Sequence, residues 1–100
     1  MTPEIIERAH ALVTWHNEQC LALADALEQR AHNIPGGVHV AGVHLTLARA
    51  AIKKVDPDVH LFFSNVALAE SAILEREHAV ATEAANNLIT ALKERANGKQ

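Results

Sequence analysis

Ile34-Pro35-Gly36-Gly37 and Asp56-Pro57-Asp58 are the two interruptions that decide how this 100-residue chain is divided. Proline lacks a backbone donor and clashes with the preceding turn, and glycine loosens a helix. Elsewhere, proline occurs only at position 3 and glycine only at 42 and 98. The breakers therefore mark out three helices. Thr2-Pro3-Glu4 is a helix start, with a hydroxyl cap, proline at the first helical position and an acid in the first turn. Helix 1 is expected over about 3–31 and helix 2 over about 38–55. Asp56-Pro57-Asp58 repeats the cap, proline and acid, so helix 3 is expected over about 57–96.

One segment reads two ways. Val38-His39-Val40-Ala41-Gly42-Val43-His44-Leu45 partly alternates, as a strand or hairpin would. Helix is the better reading, because a lone hairpin has no further strand here to pair with. From Val59 to Asn97 there is no glycine or proline, so helix 3 is either continuous or turned near Ser64-Asn65 or Glu77. Unbroken, it would reach roughly 57 Å, against a radius of gyration of about 13 Å for a compact chain of this length. Either helix 3 breaks, or the protein is elongated and shares its apolar face with another copy. The expected fold is all-α, a single domain over 1–100. It is a three- or four-helix bundle of long amphipathic helices, elongated and shared across a homodimer.

Composition supports sharing. The hydrophobic set makes up 49% of the chain, but 19 of those residues are alanine, which leaves 30 larger apolar side chains. A methyl group gains little on burial, so a lone copy has a thin core. Nine basic and twelve acidic residues give a net charge of −3, which argues against direct binding to a nucleic-acid backbone. The single cysteine, Cys20, excludes an internal disulfide and fits a reducing cytoplasm. No secretory leader and no membrane span is visible.

At about 100° per residue, helix 1 places Ile5, Ile6, Ala9, Leu12, Val13, Cys20, Leu23, Ala24, Leu27 and Ala31 on one stripe. Helix 2 turns Ala41, Leu45, Ala48, Ile52 and Val55 inward. Helix 3 turns in Val59, Phe63, Val66, Ile73, Leu74, Val80, Ala81, Ala84, Leu88 and Leu92. His16, His44, Glu70 and Glu77 fall on or beside these faces. Buried acids need partners, protons or a metal. The favoured reading is a hydrogen-bonded polar network or a wet subunit seam. A helix break near Glu77 would instead free the acids to solvent. The third reading is a zinc or non-haem iron site made by the two histidines and two glutamates.

Other motifs carry little. Glu7–His10 and Glu75–His78 repeat the Glu-x-x-His spacing of di-iron carboxylate bundles, but point off the apolar faces. Cys20 sits on an apolar stripe, where a thiol is inert. Ser64 and Ser71 lack an elbow of glycines, and no phosphate-cradling glycine loop exists. No catalytic function is expected. Arg49 and Lys53, with Lys54 nearby, form a short basic strip that meets an acidic surface or solvent.

Helix 1 has a second side. Glu4, Glu7, Glu18 and Asp25 form an acidic strip, and beside it run Ala11, Trp15, Ala22 and Ala26. Small residues admit a close helix, and tryptophan anchors interfaces. Trp15, Ala22, Ala26, Glu7, Glu18 and Asp25 are the candidate partner surface, the acids suiting a basic partner; the alternatives are that Trp15 packs against helix 2 or 3 of its own chain and that the acids are simply solvated. The sequence reads as a non-enzymatic, cytoplasmic protein-binding module, an adaptor or occluding inhibitor, without cofactor, binding itself and another protein. The alternative is a small zinc or iron protein using His16, His44, Glu70 and Glu77.

Overall fold

A computed structural model describes residues 2–98, and it is all-helical: α1 (Pro3–His32), α2 (Gly37–Ile52) and α3 (Val59–Asn97). The segment 38–45 is helix, and no strand occurs among the described residues. The start of α1 forms as its sequence indicates. The Thr2 hydroxyl accepts from the Ile5 amide at 3.4 Å, and Pro3 opens the helix.

The second breaker works differently from expectation. α2 ends at Ile52 rather than 55, because the Asp58 amide donates to the Ala51 carbonyl at 3.0 Å and turns the chain back. Val55 is therefore outside α2 and 99% exposed, not buried on it. The cap of α3 is Asp58, not Asp56. Its carboxylate accepts from the Leu61 amide at 2.9 Å, and Pro57 stays in the connection.

The first turn depends on its glycines. Gly36 holds φ at +75°, a region that costs an L side chain strain. At Gly37 a Cβ would collide with the Ala31 carbonyl oxygen and the Ile34 side chain, so only glycine lets α2 leave so tightly. Arg76 of α3 then fastens the turn, its Nε donating to the Pro35 carbonyl at 2.6 Å.

α2 is the middle element. It packs against α1 and more extensively against α3, while α1 and α3 touch little. Ala41, Ala48 and Ala51 are fully buried on α2 and let its neighbours come close. Phe62, Leu45, Ile52 and Ile73 are the large side chains fully withdrawn from solvent, joined on α1 by Cys20, Ala24, Leu27 and Ala31.

Sixteen residues of α2 span about 24 Å, so α2 can cover only that length of its longer neighbours. α3 is one unbroken helix of 39 residues, and α1 has 30. Residues 3–15 of α1 are all exposed, as are 81–97 of α3. This corrects the core expected from periodicity. Ile5, Ile6, Ala9, Leu12, Val13 and Leu23 face solvent, and so do Val59, Phe63, Leu74, Ala81, Ala84, Leu88 and Leu92, with Val80 half-buried. Periodicity identifies an apolar face but not whether anything lies opposite it.

The result is a rod of 86 × 18 × 14 Å with a radius of gyration of 21.3 Å. Its accessible surface is 7376 Å². Size scaling for a compact monomer of this mass gives about 5,500 Å², so roughly 1,800 Å² is surplus.

Candidate interaction surfaces

α1 leaves the packed region at Trp15. Leu12, Val13, Trp15 and His16 meet Pro57 and Val59 around an open, mainly apolar groove of about 400 Å³. Trp15 is 57% exposed and Leu12 65% exposed. Asn17 also lines the groove, and its Oδ1 is shielded from solvent without a hydrogen-bond partner. From the groove the apolar stripe runs outward along α1 through Ala9, Ile6 and Ile5 with none of the described residues over it.

The acidic strip is partly as read. Glu4, Glu7 and Glu18 are exposed, and so are Ala11, Ala22 and Ala26. Asp25 is exposed too, but it is committed within the chain: Arg49 Nη2 donates to Asp25 at 2.9 Å and also to Glu28. Arg49 is thus not part of a free basic strip. Burial alone works against its charge, and the hydrogen bonds it donates to Asp25 and Glu28, with the negative charge of those two acids, outweigh this and raise its pKa. Lys53 and Lys54 are exposed in the α2–α3 connection.

The four polar residues expected to face inward do not gather. His16 is half-buried on α1, its Nδ1 3.8 Å from Cys20 Sγ. Burial pushes the Cys20 thiol above its ordinary pKa. His44 is half-buried on α2 with Nδ1 unpartnered. Glu70 is exposed. Glu77 forms a two-pronged pair with Arg30, Nε to Oε1 at 2.7 Å and Nη2 to Oε2 at 2.8 Å. The Arg30 hydrogen bonds pull the Glu77 carboxyl below its usual range, partly opposed by desolvation, and they raise Arg30 in turn. Among the described residues no three His, Cys, Asp or Glu side chains are placed to hold a metal ion. The two Glu-x-x-His pairs, Glu7–His10 and Glu75–His78, are fully on the outside.

Two elements were not anticipated from sequence: the Arg30–Glu77 pair and the Arg76 contact to Pro35. Together they lock the α1–α2 turn to the middle of α3. Residues 30 and 77 are separated by 47 positions, so only the register of α1 against α3 brings them together. The Asp25, Glu28 and Arg49 cluster did have a signal, since two acids one turn apart on α1 face the lone arginine of α2.

No protein-family model matches this chain, and comparison with curated proteins and with solved structures found none that is similar. None of the described helices is long and apolar enough to cross a membrane.

Proposed function

We propose that this chain is a non-enzymatic, cytoplasmic helical module that binds proteins through its uncovered helix faces, as an adaptor or an occluding inhibitor. It is shared across a homodimer, which leaves α1 to meet a different partner. The observation that carries this reading is the exposed Trp15, which stands on the second side of α1 at the lip of a groove from which the apolar stripe runs outward to Ile5. A large exposed tryptophan beside a pocket is the usual composition of an interface anchor. Ala22 and Ala26 extend the contact as small residues, and Glu7 and Glu18 add negative charge at its rim, which favours a basic partner surface. Asp25 serves mainly to hold Arg49 and takes a smaller part.

The test is capture with the intact chain and with Trp15→Ala, comparing recovered proteins and helix content. A partner retained by the wild type and lost with Trp15→Ala, at unchanged helicity, supports the surface. Equal capture by both would remove Trp15 and its groove from the account.

A further inference from the structure

α3 carries two apolar lines, and the chain uses one of them. Phe62, Val66, Ala69 and Ile73 are buried in the core. About 100° round the helix runs a second line. Its first half is Phe63, Ala67 and Leu74, interrupted by the acidic Glu70, and its second half is Ala81, Ala85, Leu88 and Leu92. All eight are exposed. The line keeps the period of a straight α-helix and extends for about 44 Å.

This second line reads the same in both directions. From Phe63 the steps to Leu74 are 4, 3 and 4, and from Leu92 backwards to Ala81 they are again 4, 3 and 4. The midpoint falls between Glu77 and His78. We infer that a second copy of this chain covers the line, its α3 lying antiparallel on the first with a two-fold axis between Glu77 and His78. The inference rests on the reading that the uncovered helix faces are interaction faces, and it assigns one of them to self-association.

Three features support that occupant. A two-fold contact must be self-complementary, and the reversed spacing provides this along the whole line. Two of the pairs it creates set large against small, Leu74 against Ala81 and Leu88 against Ala67 of the other copy, and the outer pair sets Phe63 against Leu92. At the axis, Glu77 and His78 from both copies meet, and each acid is already compensated by Arg30. A slip of one heptad towards the C-terminus would set these groups against Ala84 and Ala85, which the polar centre disfavours. Glu70 faces only the small Ala85 and keeps room to reach solvent at the edge.

The area agrees. A stable dimer takes about 800 Å² from each partner, which fits within the roughly 1,800 Å² surplus and leaves the α1 stripe uncovered.

The experiment uses the full chain with Cys20→Ala as background. Ala67→Cys and Leu88→Cys chains are oxidised separately and mixed, with circular dichroism confirming helix content, since both positions are exposed. The antiparallel pairing predicts a disulfide-linked dimer only in the mixture, because identical positions lie about 30 Å apart along the helices. Linkage within either single variant means a parallel or different contact and overturns the inference. Absence of linkage in the mixture overturns it as well. Native mass spectrometry provides the second arm: Leu74→Glu is expected at 10.8 kDa, the wild type and Trp15→Ala at twice that mass. A persistent Leu74→Glu dimer would defeat this seam while leaving the α1 surface intact.

Discussion

Ile73 and Leu74 are adjacent on α3 but belong to different surfaces. Ile73 is completely buried against α2, and Leu74 is 48% exposed. Ile73→Ala removes a fully packed side chain and is expected to cost about 2–5 kcal/mol in unfolding free energy. For a chain of this size each kcal/mol is worth about 4–8 °C of melting temperature, so Tm falls by about 10 °C or more. Leu74→Ala removes groups that are only half withdrawn from water, for about 1 kcal/mol within one chain. Covering by a second copy adds a further loss of about 1 kcal/mol per chain, or about 2 per dimer. That is roughly a 30-fold rise in the dimer Kd. The assay is urea unfolding followed by circular dichroism at two protein concentrations tenfold apart. Ile73→Ala should lower the midpoint at both. Leu74→Ala should produce a deficit that depends on concentration, as loss of a subunit contact requires. If Leu74→Ala matched Ile73→Ala at every concentration, the boundary drawn between core and open seam would be wrong.

The Arg30–Glu77 pair gives a pH prediction. The Glu77 carboxyl lies below its ordinary value in the folded chain, so its contribution is present above the usual carboxylate pKa of about 4.3. It is lost as pH falls through the lowered value. The Tm difference between wild type and Glu77→Gln should therefore be largest above about pH 4.5 and shrink in acid; a gap that widened in acid would refute the assignment. Gly37→Ala should destabilise by about 1–3 kcal/mol, since its methyl meets a backbone carbonyl. At Gly42 a Cβ meets nothing within 4 Å, so Gly42→Ala should raise stability by about 0.5–1 kcal/mol. Chemical denaturation of both variants checks the pair, and a loss at Gly42 would reveal a neighbour that one chain does not show.

The local signals in the sequence were strong where the backbone decides. Pro3 with Thr2, and Ile34 to Gly37, fix ends through capping and glycine geometry, which depend on few neighbours. Asp56-Pro57-Asp58 held two acids able to cap, and the choice of Asp58 followed from the turn closed on Ala51, a contact between elements. The apolar faces were legible as faces, but their burial was not. Leu12 and Leu27 share the α1 stripe, yet only Leu27 has α2 opposite it, because α2 is too short to reach both. Phe62 and Phe63 differ instead by angle, since they point about 100° apart round α3 and only the Phe62 side is packed in the core; Glu70, beside buried Ala69, goes to solvent on the open side, while Glu77 finds Arg30. On the candidate surface, Trp15 is exposed rather than packed against α2 or α3. Asp25, read as part of a free strip, is held by Arg49.

Small-angle scattering of the purified wild-type chain, with mass calibrated from the forward intensity, tests the central claim that these long helix faces are completed by a second copy. The account predicts a particle of twice 10.8 kDa that is strongly elongated, at least as long as the 86 Å single chain. A particle of one chain's mass with a radius of gyration near 13 Å would contradict it, because α3 would then fold back and cover its own exposed line.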